Sequence, residues 1–245
     1  MSNINIVNCA DAGDAVLKAS EKLNSILKNL HDQDVPVLLC MSGGSALKIA
    51  DQIDKNYIPK KFTLTVLDDR YSKDEKVNNF SLLMNTPLYK DALSLGANFI
   101  DTRIKNDESI SEISAMADMG IKEWIEGNPD GKIIITQGIG PDGHTSGMMP
   151  YPEDQEKFDK LFVDTDKFSV GYDNEGKNEY HLRITSTMKF LIDHVDESVL
   201  LMTGKEKSQA FHNTWDSSKT LAQTPGRVIH QMKKVNLFTD IAKFN

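Results

Sequence analysis

Val35-Pro-Val-Leu-Leu-Cys-Met41 is a continuous apolar run that passes directly into Ser42-Gly-Gly-Ser45. A short apolar run bounded by turn residues reads as a strand covered on both faces, the kind found in parallel sheets. The residues that follow, Ala46, Leu47, Ile49, Ala50 and Ile53, recur at helical spacing. Strand, glycine turn and helix in direct succession form the unit from which layered α/β folds are built. Upstream, Ala12, Ala15, Val16, Ala19, Leu23, Ile26, Leu27 and Leu30 mark one helix face behind an Asp11 N-cap, which predicts a helix near 11–31. Downstream, similar buried-strand runs occur at Phe62–Leu67, Lys132–Thr136 and Ser198–Thr203. Between them Ile110, Ile113, Ala117, Ile121, Trp124 and Ile125 keep a helical period. Strands alternating with helices predict an α/β protein with a mostly parallel, layered sheet. No repeat, low-complexity tract or Pro/Ser-rich linker interrupts the pattern, so residues 1–245 are read as one domain. The Asp- and Lys-rich stretch 151–180 is the least regular and reads as a solvated excursion.

Composition narrows the function. The chain has 245 residues, with 36 acidic side chains against 28 Lys and Arg, a formal charge of −8. That sign argues against a general nucleic-acid binder, which needs a basic footprint to displace counterions from phosphates. Only four arginines occur, Arg70, Arg103, Arg183 and Arg227. Arg grips a phosphate or carboxylate with two hydrogen bonds at once, so the placement of so few is informative. Met1 to Asn8 lacks the basic and apolar regions of a secretory signal, and no stretch has the roughly 20 apolar residues of a membrane span. A cytoplasmic protein with no membrane partner is expected. Cys9 and Cys40 make no disulfide framework and no zinc-type pair, and Cys40 reads as a small buried hydrophobe.

Each strong strand runs into a polar cluster: Ser42-Gly-Gly-Ser45, Asp68-Asp69-Arg70, Gln137-Gly-Ile-Gly-Pro-Asp-Gly-His144 and Gly204-Lys-Glu-Lys207. Ligands of open α/β sheets bind outside the carboxyl ends of the strands, so the clusters are expected to converge. Gly43, Gly44 and Ser45 would let the backbone approach an anion at a helix start, although the spacing is not that of a nucleotide-hydrolysing loop. In Asp68-Asp69-Arg70, Arg70 is expected to hold one acid ionised while pointing its fork at a substrate anion. The segment 138–145 carries three glycines around Asp142 and His144. An imidazole suits general-base work near neutrality, and Asp142 is close enough in sequence to orient the ring. A Ser146–His144 nucleophilic pair is possible on paper, without the geometry to support it. Arg183, in a short strand-like run, and Lys207, in the first turn of a helix after a strand, are the remaining cations expected to close around one phosphate.

The chain resembles the sugar-phosphate family that contains 6-phosphogluconolactonase and glucosamine-6-phosphate deaminase. Gly140-Pro-Asp-Gly-His-Thr145 followed by Pro150 is similar to the lactonase loop, Gly-x-Asp-Gly-His-Thr-Ala-Ser ending in Pro. The deaminase branch continues Gly-His-Ile-Ala-Phe-Asn-Glu-Pro, and its acid is absent from Thr145-Ser-Gly-Met-Met149. Asp68-Asp69-Arg70 resembles the lactonase Asp-Glu-Arg, and Asn79, Arg183-Ile-Thr185, Gly204 to Lys207, Pro225 and Val235–Ala242 fit the same pattern. Departures are Ala46-Leu47 for Thr-Pro, Asp69 for Glu, Asn78 for Ser and Gly147 for Ser. The resemblance implies a Rossmann-like sheet flanked by helices on both faces. It also implies hydrolysis of 6-phospho-D-glucono-1,5-lactone to 6-phosphogluconate with no metal or other cofactor. In that chemistry His144 is the base and Asp142 its orienter. Gly43, Gly44, Ser45, Arg183 and Lys207 hold the phosphate, and Arg70 serves either the phosphate or the lactone oxygen. The partner is a small phosphosugar lactone, taken by a monomer or small homo-oligomer. Two rival readings are the deaminase, disfavoured by Arg70 and Met148-Met149, and a non-catalytic sugar-phosphate-sensing module.

Overall fold

The computed structural model describes residues 3–241. Its strands in chain order are β1 (Ile4–Asn8), β2 (Val37–Met41), β3 (Phe62–Val66), β4 (Asp68–Arg70), β5 (Asn98–Phe99), β6 (Lys132–Gly138), β7 (Ser169–Asp173), β8 (Leu182–Ser186), β9 (Glu197–Met202) and β10 (Val235–Thr239). Its helices are α1 (Ala12–Asp32), α2 (Asn79–Met84), α3 (Pro87–Ser94), α4 (Ile110–Gly127), α5 (Gln155–Phe162) and α6 (Ser208–Trp215). Seven strands form one parallel sheet in the order β1-β10-β9-β6-β2-β3-β5.

Strand β2 begins at Val37, two residues inside the apolar run, because Pro36 has no N–H to give a ladder. The Pro36 carbonyl still accepts from Lys132 N at 2.8 Å. All five β2 residues are buried, and alternation sends them to two different cores. Leu38 and Cys40 join Ile133, Ile135 and Leu200 on one face. Val37, Leu39 and Met41 join Leu23 and Leu27 of α1 on the other. A sheet packed on both faces explains why its strands read as unbroken apolar runs. Each fully buried Leu contributes about 1.5–3 kcal/mol relative to exposure. Helix α1 starts where the sequence predicts, with the Asp11 carboxylate accepting from Asp14 N at 2.9 Å. Among the described residues no helix is long and apolar enough to cross a membrane.

Several expectations are corrected. The polar cluster Asp68-Asp69-Arg70 does not simply end a strand. It is strand β4 of a second, antiparallel sheet in the order β4-β8-β7. The stretch 151–180 is no solvated excursion either, since it holds α5 and β7 and buries Tyr151, Phe158, Phe162, Phe168 and Tyr172. Its charged residues stay outside while these rings, spaced widely in sequence, turn inward. The segment after the double glycine winds as a 3-10 helix over Gly44–Gln52, with no side chain capping its first turn. Strands β1 and β5 carry too few residues of marked character to stand out in the sequence. Strand β10 lies within the tail at 235–242, of which Ala242 is outside the described residues.

This topology fixes where a ligand can bind. From β2 the chain moves to β3 on one side, and from β6 it moves to β9 on the other. The loops leaving β2 and β6 therefore part over a crevice at the carboxyl end of the sheet. Strand β4 continues directly from β3, so the small sheet is carried to the rim of that crevice.

Candidate active site

Every site residue expected from the sequence except Asp142 lines one cleft of about 230 Å³ at this switch point: Gly43, Gly44 and Ser45 after β2, Arg70 on β4, His144 after β6, Arg183 on β8, and Lys207 after β9. Asp142 stands behind His144. Its Oδ1 is 2.5 Å from His144 Nδ1 and also accepts from the His144 backbone N–H at 3.1 Å. Burial pushes the Asp142 carboxyl up, but the hydrogen bonds from His144 outweigh it and hold the group below the usual carboxylate value. An ionised carboxylate there draws the proton of a neutral imidazole to Nδ1 and leaves Nε2 as an acceptor.

Glycines make this pair possible. A Cβ at Gly140 would collide with the His144 ring and press on Asp142 Oδ1, while Gly143 turns the chain at φ +87. The bend is fastened at three points. Gly140 N donates to His144 O at 2.9 Å, the Thr145 hydroxyl donates to Gly138 O at 2.8 Å, and Gln137 Nε2 donates to Thr145 Oγ1 at 2.9 Å. His144 is thus held by the backbone on both sides. The Ser146–His144 nucleophilic pair does not form, because Ser146 Oγ has no hydrogen-bond partner.

The small sheet supplies the cationic wall by simple alternation. Arg70 lies directly across from Arg183 in the β4–β8 register, so two guanidinium side chains share one face. Like charges opposed across strands are unfavourable unless something lies between or beside them. Asp68, two residues from Arg70 and therefore on that face, approaches Arg183 at 3.7 Å. The acid expected beside Arg70 is thus paired with Arg183 instead. Arg70 places its guanidinium 5.0 Å from the centre of the Tyr180 ring and donates to Val77 O at 3.3 Å. Arg183 also donates to Asn178 Oδ1 at 3.0 Å.

Asp69 points the other way. Fully buried, it accepts from the backbone N–H of Arg70, Asn79 and Phe80 and from the Thr102 hydroxyl, at 2.7, 2.6, 3.3 and 2.5 Å. Burial drives its carboxyl up to about 7 against the pull of those four donors. It ties α2 to β4 and does not face the cleft. Lys207 is expected in a helical first turn, and it closes a 3-10 turn at Lys205–Lys207 just before α6. Burial lowers its ammonium below the ordinary lysine value, against the opposing influence of Glu206 and Asp240.

The described residues contain five buried polar side-chain atoms without partners, and four of them belong to this cleft: Arg70 Nε, Asn79 Oδ1, Ser146 Oγ and Arg183 Nε. Asn79, Ser146 and Arg183 are only 2%, 3% and 4% exposed, so water does not readily satisfy them. Orphaned donors and acceptors gathered in one cleft are what a ligand rich in hydrogen-bonding groups would complete. The sequence reading expected Asp68 at the crevice only as part of the Asp68-Asp69-Arg70 cluster and gave no binding role to Ser146 or Asn178. Asn178 enters through the β7–β8 turn, which carries no compositional signal.

None of the other histidines lines this cleft, and three of them contact groups outside it. His31 contacts Ile58 O at 2.9 Å, His230 contacts Thr214 O at 2.9 Å, and His181 contacts Asp173 at 3.1 Å. Burial is the whole cause of the raised Cys40 thiol, which fits an inert core residue.

Among solved structures, the chain is similar to 6-phosphogluconolactonase from Trypanosoma brucei, with TM-score 0.75 and 14% identity, covering 98% of this chain and 97% of that one. It is also similar to 6-phosphogluconolactonase from Plasmodium vivax, with TM-score 0.74 and 14% identity over 99% and 92% of the two chains. A 6-phosphogluconolactonase from Shewanella baltica gives 0.70 and 18% over 98% and 97%. No curated protein matches the chain by sequence. The profile described as glucosamine-6-phosphate isomerases/6-phosphogluconolactonase matches residues 10–238, and the chain belongs to that family.

Proposed function

We propose that the protein hydrolyses 6-phospho-D-glucono-1,5-lactone to 6-phosphogluconate, the second step of the oxidative pentose phosphate pathway. The observation that carries this reading is an Asp142-oriented imidazole opening onto the same cleft as three cations, Arg70, Arg183 and Lys207. Arg183, Lys207 and the Gly43-Gly44-Ser45 turn hold the phosphate, with Arg70 adding to the same positive wall. His144 Nε2 takes a proton from water, whose oxygen attacks the lactone C1. Negative charge grows on the carbonyl oxygen and collapses back, breaking the bond from C1 to the ring oxygen. The proton held on His144 passes to that departing oxygen, so the imidazole returns neutral and the product carries the new carboxyl and hydroxyl groups. The fixed positive wall needs no reorganisation as negative charge grows on the carbonyl oxygen, which lowers the barrier, and the gripped phosphate holds the lactone in place for attack.

Deamination of glucosamine 6-phosphate is the weaker reading. The position where that branch carries its ring-opening acid holds Met149, which is buried in the core. A coupled assay on freshly made 6-phosphogluconolactone, corrected for spontaneous hydrolysis, tests the proposal. Enzyme-dependent production of 6-phosphogluconate is expected, and a rate equal to background, or ammonia release from glucosamine 6-phosphate, overturns it.

A further inference from the structure

Ser146 combines features that are individually unfavourable. Its φ is +52, in the left-handed region that glycine occupies without steric cost and serine does not. Its side chain is 3% exposed, lines the cleft, and leaves Oγ without a hydrogen-bond partner. A buried orphan hydroxyl on a strained backbone is destabilising unless a ligand completes it.

The backbone around Ser146 is tightly determined. The Thr185 hydroxyl donates to the Ser146 carbonyl. Gly147, at φ +80, has no room for a side chain: a Cβ there would lie 2.6 Å from Thr185 Oγ1 and 2.8 Å from Asp68 Cβ. The hydroxyl of this loop therefore fits at 146 and not at 147. Asp68, the ion-pair partner of Arg183, lies against Gly147 and lines the same cleft as Ser146, so an acceptor carboxylate stands close to this turn. A neutral hydroxyl, which can donate to an acidic oxygen and accept from serine, suits the place.

We propose that Ser146 Oγ hydrogen-bonds a hydroxyl of the sugar portion of the ligand and helps select polyol phosphates over other phosphorylated compounds. This rests on the proposed lactonase reading for the identity of the ligand. The residue binds substrate and product alike, so its loss should raise KM and leave kcat within about twofold.

The test compares S146A and S146G with the intact protein by titration with 6-phosphogluconate and with inorganic phosphate, alongside turnover and melting. Both variants should bind 6-phosphogluconate roughly fivefold more weakly, the scale of one neutral hydrogen bond, with phosphate affinity unchanged. S146G should melt no lower than the wild type, because glycine suits the left-handed backbone, and a merely structural serine would not separate affinity from stability in this way. Wild-type affinity for 6-phosphogluconate in both variants overturns the inference, as does equal weakening for inorganic phosphate or a collapse of kcat at constant KM. A wild type that binds 6-phosphogluconate but does not hydrolyse the lactone overturns the lactonase reading alone, and the binding comparison still decides Ser146. A wild type that does not bind 6-phosphogluconate overturns both.

Discussion

Two depressions lie at opposite ends of the parallel sheet, and their contents differ more than their charges do. At the amino ends of β6 and β9, a groove of about 420 Å³ is lined by Lys22, Lys132 and Lys234 together with Asp196 and Glu197. Each lysine has an acid: Lys22 and Lys234 reach Glu197 at 3.1 and 3.0 Å, and Lys132 reaches Asp196 at 3.6 Å. The acids are satisfied in turn by Asn236 and the Ile133 N–H. None of the five buried orphan atoms found among the described residues lines this groove. The smaller cleft at the carboxyl ends holds four of them. Unmet hydrogen bonds therefore single out the cleft at the carboxyl ends, whereas size alone points to the other end and the count of Lys and Arg, three in each, does not choose.

This contrast can be broken by mutation, beginning where the effect should be greatest. His144→Ala should lower kcat by roughly a hundredfold or more, the scale of general-base loss, while 6-phosphogluconate still binds; an unimpaired turnover in the coupled assay refutes the assignment. Gly140→Ala leaves every functional group in place but drives a methyl into the imidazole. Displacement of the ring should reduce kcat by roughly ten- to a hundredfold with an unchanged circular-dichroism spectrum, and full activity would show that the ring position is not critical. Arg183→Ala should weaken 6-phosphogluconate binding by roughly tenfold or more, measured by calorimetry. Part of that loss comes from stranding Asp68, so adding Asp68→Asn to the variant should recover some affinity.

Two smaller effects sharpen the comparison. Because burial lowers the Lys207 ammonium, its charge is lost at a lower pH than that of an ordinary lysine, near 10.5. Product affinity should therefore decline by a few-fold on the alkaline side below that value, and the decline should vanish in Lys207→Arg. At the other end of the sheet, Lys132→Ala should change turnover less than twofold and stability by no more than about 1 kcal/mol, as expected for an exposed ion pair. A marked loss of activity there would show that the paired groove participates after all.

Much of the cleft was readable in the sequence because glycines and charged residues crowd the ends of apolar runs. Runs such as 35–41 are unbroken since both faces of β2 are buried, and the polar residues after them can only lie at an exit from the sheet. Asp142 and His144 were legible for the same reason, two residues apart in a backbone that must bend. The second sheet was not legible. Three residues, Asp68 to Arg70, are too few to show alternation, and their composition is that of a loop. Their strand character comes from pairing with β8, more than a hundred positions away in the chain. Ser146 was visible only as a hydroxyl near a histidine. Its conformation and its missing partner are tertiary facts, set by Thr185 and Asp68.

The three-residue strand β4 also constrains how this protein can change over evolutionary time. One side of it organises helix α2 through Asp69, and the other presents Asp68 and Arg70 to the cleft. Substitutions on the two sides can accumulate independently, since adjacent positions never share a face. Insertion or deletion of one residue is another matter. It would turn Arg70 toward the core and leave α2 without its anchor in a single step, so a change in the length of this strand should be more damaging than a substitution at any one of its three positions.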